Sequence, residues 1–357
     1  MPLKNNCPIV RLKTNEPMNL SRILIVRFSS LGDIVLISPV TRALRQAYPQ
    51  TRMTVLVKRA YEPIARALPG VDDVEIFDSN QGLWSLAARV RSADYDLMVD
   101  LHANIRSHLL AWSGRAKQIL RYHKRRLARM SIVYYPASSI ATRHTVDAYL
   151  QVLQPLGISD CDRSPELLLP DTGNDEVTER LHTEGIFPSD LLMGIAPGAS
   201  HPTKQWPASY FAELADYMVR THGLKILLIG NDQDRETTRT IAHAMTMPVV
   251  DWTGRMDLTI LPAAIQRCHI MVSNDSGPMH IASAVKTPVI GLFGPTHPRL
   301  GFSPLGSGDR ALSLHLPCSP CSLHGEKSCK IHTHACLKDL TVECVIAEVE
   351  QHLQRPV

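Results

Sequence analysis

The stretch RILIVRFSSLGD at residues 22–33 decides the fold class of this chain. Its first seven residues form a nearly continuous apolar run of strand length, which is typical of a parallel strand buried on both faces. A short loop of small residues follows. Residues 34–48 then place Leu36, Val40 and Leu44 on one side of a helix that Pro49 ends. The stretch therefore predicts a buried β-strand followed directly by an α-helix.

The same order repeats along the chain. Further strands are predicted at 53–57, 74–77, 95–101, 192–196, 225–229, 249–251, 270–272 and 289–293. Helices are predicted between them at 61–68, 83–92, 146–156, 175–184, 207–221, 232–245, 259–267 and 278–285. This alternation predicts an α/β protein made of two Rossmann-like, doubly wound parallel-sheet domains.

The length of 357 residues also favours two domains. The Pro-bounded stretch at 163–171 is the candidate linker. We therefore expect a poorly ordered tail at 1–20, an N-terminal domain at 21–170 and a C-terminal domain at 171–357, with the last helix free to return to the first domain.

Composition argues against a membrane-spanning or a secreted protein. The hydrophobic content of 44% is that of a globular protein, no apolar run is long enough to span a bilayer, and the first 20 residues lack the apolar core of a secretion signal. We therefore expect a cytoplasmic protein. The net charge of +4 is uneven, because residues 121–129 carry five Lys or Arg residues and one His. Such a segment fits anionic lipid, a phosphorylated glycan or nucleic acid, or is simply a solvated helix face.

Ligands of doubly wound sheets bind at the carboxyl ends of the strands, and polar segments follow several predicted strands here. In IMVSNDSGPMH at 270–280, a strand runs into a helix whose first N–H groups, near Ser276 and Gly277, form an anion site suited to a diphosphate. An ordinary capped helix start is the alternative interpretation.

The loop APGASHPTKQW at 196–206 offers a second phosphate-binding segment. Gly198 permits close backbone approach, Ser200 and Thr203 offer hydroxyls, and Lys204 offers a positive charge, although a plain surface lysine is the alternative. The spacing is not that of a Walker A loop. After the next strand, Asn231, Asp232 and Asp234 are candidates to bind a ribose hydroxyl or to cap a helix.

The loop after the first strand carries Asp33. The loop has one glycine, so the Gly-x-Gly-x-x-Gly pattern of dinucleotide dehydrogenases is absent. Asp33 is a candidate general base that accepts a proton from an attacking hydroxyl. The alternative is an acidic residue that begins the helix, where it suits the helix dipole.

Residues 22–33, the 196–206 loop, and SNDSGPMH at 273–280 continued into GLFGPT at 291–296 resemble the ADP-heptose:lipopolysaccharide heptosyltransferase family. The resemblance implies a GT-B fold, with two domains facing a central cleft, and an inverting, metal-independent transfer of heptose from ADP-heptose to a lipid-linked core oligosaccharide. It implies that Asp33 is the base and Lys204 the diphosphate cation. It also implies nucleotide-sugar binding by Asp275, Ser276, Gly277 and His280, to which the two loops add Ser200, Thr203 and Asp232 as candidates.

The resemblance also gives the basic segment a role in binding an anionic glycolipid acceptor at the inner membrane surface. The acceptor-binding candidates are Ser30, Arg121, Lys124, Arg125, Arg143 and His144. No cofactor is expected for catalysis, no nucleic acid is expected as a partner, and attachment to the inner face of the inner membrane would be peripheral.

Four cysteines lie close together near the C-terminus, at Cys318, Cys321, Cys329 and Cys336. Their spacing fits a structural zinc or iron–sulfur site, a pair of disulfides, or free thiols. In each case the role would be structural.

Two other interpretations of the whole chain stay open at this point. One is a different enzyme on the same fold, such as a nucleotide-sugar epimerase or a GT-B transferase with another donor. The other is a non-catalytic module that binds a membrane or nucleic acid.

Overall fold

The computed structural model describes residues 20–78, 80, 82–135 and 142–354. The predicted N-terminal tail lies outside the described residues apart from Leu20. The strands are β1 (Arg22–Val26), β2 (Arg52–Lys58), β3 (Asp73–Phe77), β4 (Leu97–Asp100), β5 (Gln118–Arg121), β6 (Leu192–Ala196), β7 (Lys225–Leu228), β8 (Val250–Asp251), β9 (Ile270–Asn274), β10 (Val289–Phe293) and β11 (Arg310–Ser313).

The helices alternate with these strands. They are α1 (Leu31–Val35), α2 (Ser38–Ala47), α3 (Glu62–Arg66), α4 (Gly82–Ser92), α5 (Ile105–Gly114), α6 (Arg126–Tyr134), α7 (Thr145–Leu150), α8 (Asp171–Thr183), α9 (Ala208–His222), α10 (Arg235–Ala244), α11 (Leu261–Arg267), α12 (Gly277–Ala284), α13 (Ala335–Lys338) and α14 (Val342–Leu353). None of the described helices is long and apolar enough to cross a membrane.

The first sheet has the strand order β3-β2-β1-β4-β5, and all its pairs are parallel. Its central strand β1 places Ile23 opposite Met53 of β2 and opposite Leu97 of β4. Residues 23–26 are fully buried, because both faces of the strand are covered. The apolar run that opens the sequence is thus the middle of a parallel sheet, as predicted.

The second sheet has the order β11-β10-β9-β6-β7-β8, again with parallel pairs. Here β6 and β9 are neighbours, so the loops that follow them leave the same edge of the sheet. Both faces of these strands are buried as well. Two doubly wound parallel sheets confirm the predicted fold class.

The chain divides into two compact units, each with one of the sheets. The first contains the described residues up to Lys124 together with Thr145–Leu168. The second contains the described parts of Arg125–His144 and of Leu169–Val357. The described residues of 125–144, which sequence order assigned to the first domain, therefore group with the second. The last helix, α14, also stays in the second unit, where Val345 and Val349 are fully buried in its core.

One predicted helix is divided in two. Residues 34–48 were expected to form one helix, but α1 ends at Val35 and α2 begins at Ser38. Pro39 has no N–H to donate within a continuous helix, so it sits in the first turn of a new one. The hydroxyl of Ser38 donates to the carbonyl of Val35 at 2.7 Å and links the two helices.

Candidate active site

A lysine and an aspartate form an ion pair where β6 and β9 end in the second unit. Lys204 closes a short 3-10 turn (Pro202–Lys204) after β6, and Asp275 follows the last residue of β9. Lys204 Nζ lies 2.8 Å from Asp275 Oδ2, and the two side chains are 10% and 13% exposed. Thr296 donates its hydroxyl to the same carboxylate oxygen at 2.7 Å. The ion pair is therefore nearly buried, and the Thr296 hydroxyl stabilises its carboxylate.

Asn274, which is fully buried, fixes the loop that carries Lys204. Its side-chain amide donates to the carbonyl of Pro197 at 2.6 Å and its Oδ1 accepts from the backbone N–H of Trp206 at 3.1 Å. The indole of Trp206 donates to the carbonyl of Leu340 at 2.8 Å. Both ends of the 196–206 loop are thus attached to the core.

The start of α12 is available to an anion. Ser276 is the N-cap residue, but its side chain makes no capping hydrogen bond. Its hydroxyl instead lies 3.3 Å from that of Ser273, and residues 275–278 are partly exposed. In the described part of the chain, the Ser276 side chain thus leaves the start of α12 uncapped, as a phosphate-binding helix terminus requires.

Close packing explains the glycine of the 196–206 loop in a way that the sequence did not suggest. A Cβ at Gly198 would lie 2.3 Å from the carboxylate carbon of Asp234. Asp234 also accepts the N–H of Asn231 at 2.9 Å, and burial raises the pKa of Asp234. Asp234 thus supports the loop, while Asp232 is exposed and paired with Arg235.

The first unit holds its own charged pair where β1 ends. Asp33 Oδ2 lies 2.5 Å from Arg27 Nη2 and accepts from the Ser30 hydroxyl at 2.8 Å and the Ser30 N–H at 3.3 Å. The hydroxyl of Tyr149 donates to Oδ1 at 3.3 Å. Arg27 also donates to the carbonyl of Leu101 at 2.7 Å. Asp33 therefore lies in the first turn of α1, where it forms a capping box with Ser30, but most of its hydrogen bonds fall on Oδ2.

These contacts set the charge of Asp33. Burial by itself raises the pKa of this carboxyl, but the charge of Arg27 and the hydrogen bonds from Ser30 and Arg27 outweigh burial and lower the pKa below its usual range. The pKa of Arg27 is raised in turn: burial opposes this, and the charge of Asp33 prevails. Asp33 is thus a carboxylate at neutral pH.

Comparisons with known proteins assign the chain to a family. A model of glycosyltransferase family 9 (heptosyltransferase) matches residues 83–332. The chain belongs to glycosyltransferase family 9. It is similar to lipooligosaccharide heptosyltransferase 2 of Haemophilus influenzae, with 26% identity over 298 residues, which cover 78% of this chain and 84% of that relative.

Solved structures agree with this family 9 assignment. A glycosyl transferase family 9 protein from Veillonella parvula aligns with a TM-score of 0.79 and 25% identity, covering 95% of this chain and 99% of that one. ADP-heptose lps heptosyltransferase II of Escherichia coli aligns with a TM-score of 0.73 and 22% identity, covering 93% and 98%. The fold is GT-B and the protein is a glycosyltransferase, which decides against the epimerase and the non-catalytic module.

The structure places only some of the predicted nucleotide-sugar residues of this family 9 transferase together at the strand ends. Lys204, Asp275, Ser276 and Gly277 lie at the strand ends just described. His280 is buried within α12, and Ser200 is exposed in its loop. The hydroxyl of Thr203 was expected to bind phosphate. In the structure it donates to the carbonyl of Glu326 and accepts the Glu326 N–H, both at 2.8 Å.

The predicted acceptor residues are divided between the units. The hydroxyl of Ser30 donates to Asp33, and Arg121 forms an ion pair with the fully buried Asp100 at 3.0 Å. Lys124 also belongs to the first unit. In contrast, Arg125, Arg143 and His144 belong to the second, where His144 Nε2 lies 2.9 Å from the carbonyl of Ser303.

The cysteine segment at 318–336 makes structural contacts with the loop that carries Lys204. Its four cysteines are free thiols, and within the described ranges no three His, Cys, Asp or Glu residues are placed to hold a metal ion. Burial, reinforced by the neighbouring thiols, raises the pKa of Cys336 to about 12. His334 Nε2 donates to the carbonyl of Thr203 at 2.7 Å, and Gly325 packs against the Lys204 side chain. The segment thus supports the loop that presents Lys204.

Sequence patterns missed four residues of these edges: Arg27, His102, Tyr149 and Thr296. A charged residue near the end of an apolar strand was the available signal for Arg27. His102 follows β4, and its Nδ1 is buried with no hydrogen-bond partner among the residues that the structure describes. Burial, with Arg27 and Lys124 nearby, lowers the pKa of His102 to about 4, so its imidazole is neutral.

Proposed function

We propose that this transferase moves heptose from ADP-heptose to a hydroxyl group of the lipopolysaccharide inner core, with inversion and without a metal ion. Membership of family 9 and the heptosyltransferase names of its relatives support the sugar and the pathway. The observation that carries the mechanism is the asymmetric hydrogen bonding of Asp33, because an inverting transfer needs one correctly charged base.

Asp33 has one committed oxygen and one oxygen with room for a further bond. Oδ2 contacts Arg27 and Ser30, whereas the only contact of Oδ1 among the described residues is the long one from Tyr149. The acceptor hydroxyl would donate to Oδ1. As its oxygen attacks the anomeric carbon, its proton passes to Asp33, and the bond from that carbon to the β-phosphate oxygen breaks.

The departing ADP keeps the electron pair of that bond, so negative charge grows on the diphosphate. Lys204 and the first N–H groups of α12 would stabilise this charge. An ammonium has three donors, and Asp275 occupies one of them in the structure, which leaves two for phosphate oxygens. Ser276, Gly277 and His280 complete the proposed nucleotide-sugar site, with Ser200, Thr203 and Asp232 around it.

Metal independence is part of the proposal. The Asp-x-Asp triplet beside the proposed nucleotide-sugar site, at 232–234, is committed to protein contacts: Asp232 to Arg235 and Asp234 to the Asn231 N–H. We expect transfer to continue at an undiminished rate in excess EDTA. A rate that collapses in EDTA and returns with a divalent cation would refute this part.

We propose Ser30, Arg121, Lys124, Arg125, Arg143 and His144 as acceptor-binding residues. These residues suit the anionic groups of a lipid-linked core oligosaccharide. We propose that the enzyme works at the cytoplasmic face of the inner membrane as a peripheral protein.

The variant Asp33→Asn tests the base. It keeps the size of the side chain and removes its ability to take the proton, so transfer should fall by at least about a hundredfold, while ADP-heptose binding measured by calorimetry stays close to wild type. Retained transfer would exclude Asp33 as the base. A thermal-shift series with ADP, UDP, GDP and their sugars tests the donor, and stronger stabilisation by UDP than by ADP would overturn it.

A further inference from the structure

Helix α5 of the first unit exposes a stripe of large apolar side chains. Ile105, Leu109 and Trp112 are 80%, 41% and 75% exposed. Their spacing of four and three residues places them on one side of the helix. On the opposite side, Leu110 and Ala111 are buried in the core of the unit. The helix is therefore apolar on two faces, whereas a surface helix normally turns a polar face to water.

Single exposed apolar residues are common and need no explanation, but an aligned stripe is a different feature. Ile105 and Trp112 leave most of their side-chain surface in water, although each would gain about 1.5–3 kcal/mol from full burial. The stripe is thus an apolar surface that no described part of the chain covers.

The charges around the stripe indicate what covers it. Residues 101–146 contain nine Lys or Arg and no Asp or Glu. Arg106 and Arg115, at either end of α5, are exposed and have no acidic partner among the described residues. A second copy docked through the same face would bring these positive charges together. An anionic bilayer surface complements both the charge and the apolar stripe, and tryptophan favours the membrane interface.

We infer that the α5 stripe of Ile105, Leu109 and Trp112 is a membrane-docking face that inserts shallowly into a bilayer rich in anionic lipid. The stripe enters the headgroup and upper acyl region, and the flanking arginines contact lipid phosphates. Only the biological reason for docking rests on the proposed function, since an enzyme that modifies a lipid-linked acceptor must reach the membrane surface. The docking itself requires neither donor nor catalysis.

The test uses the full-length protein and vesicles. Wild-type protein should co-sediment with phosphatidylethanolamine vesicles that contain phosphatidylglycerol, less so in high salt, and weakly with phosphatidylcholine alone. The double variant Ile105→Ser/Trp112→Ser should lose vesicle binding by at least about tenfold. The matched control is Leu168→Ser, an equally apolar residue of the same unit that is 54% exposed, and it should bind as wild type does.

The outcomes separate this inference from the alternatives. Because the stripe is exposed, the double variant should keep the wild-type unfolding temperature and full transfer to a delipidated core oligosaccharide. Unchanged vesicle binding by the double variant would overturn the docking face. So would wild-type dimers, seen by light scattering, that the double variant converts to monomers. A wild-type protein that binds vesicles but transfers no heptose would refute the proposed function and leave the docking face in place.

Discussion

Replacing Lys204 by methionine should damage stability and catalysis by two separable routes. The stability loss follows from the pair itself, because the nearly buried Asp275 would lose its cationic partner and only the Thr296 hydroxyl would remain beside it. Removing one partner of a buried ion pair costs about 3–5 kcal/mol. We expect the lower end of that range, since 13% of the Asp275 side chain still reaches water.

The catalytic loss follows from the leaving group. Removing one preorganised donor from a developing negative charge typically lowers kcat by about 100–1,000-fold, which corresponds to about 2.7–4 kcal/mol. The double variant Lys204→Met/Asp275→Asn separates the two effects. It has no uncompensated charge, so it should recover most of the lost stability, but it still lacks the cation, so kcat should stay low.

The assay combines urea unfolding with steady-state release of ADP for the wild type, both single variants and the double variant. Asp275→Asn serves as the control that leaves a lysine unpaired. If the double variant recovers kcat together with stability, Lys204 acts only through the fold and its proposed role at the diphosphate is refuted.

Three further changes test individual contacts. Arg27→Gln removes the charge that lowers the pKa of Asp33, and burial then raises that pKa. The base works only when it is ionised, so activity is lost as pH falls through its pKa, and the acid limb of the kcat/KM profile should move to higher pH in Arg27→Gln. Arg27→Lys is the control that preserves the charge. An acid limb that does not move in Arg27→Gln would contradict the pairing. Gly198→Ala would drive a methyl group into the Asp234 carboxylate, so we expect destabilisation of about 1–3 kcal/mol and weaker ADP binding by calorimetry, with wild-type values contradicting the close approach. Trp206→Phe should cost about 1–3 kcal/mol in urea unfolding through one unpaired carbonyl and a small cavity, and a neutral result would show that the loop relaxes.

The fold was predictable because parallel strands buried on both faces leave a strong sequence signal. The strands 192–196 and 289–293 coincide with β6 and β10. The edge strand β5 was missed, since it has four residues and Ile119 faces solvent. Helix α5 was missed for a related reason: apolar residues on two of its faces hide the helical period.

The candidate site was predictable in position but not in its pairings. The strand-end rule indicated Asp33, Lys204 and Asp275, because each follows a buried strand. No local pattern could show that Asp275 neutralises Lys204, 71 positions away. The cysteine spacing suggested a zinc or iron–sulfur site, disulfides or free thiols, and the structure has free thiols there. Sequence spacing gave no signal for the contacts that this segment makes with Thr203, from the backbone of Glu326 and from the ring of His334.

Each unit holds the charge of its proposed reactive residue, Asp33 or Lys204, in a neutral pair, which raises the question of how a paired charge could serve the proposed transfer. A lone buried ion would be costly, so Arg27 and Asp275 are needed for the resting protein. The pairing is one-sided in both cases. Asp33 spends Oδ2 on Arg27 and keeps Oδ1, while Lys204 spends one donor on Asp275 and keeps two. In the proposed mechanism the partner therefore orients the reactive group and leaves its open side to the substrate, so neither pair would have to break for transfer to begin.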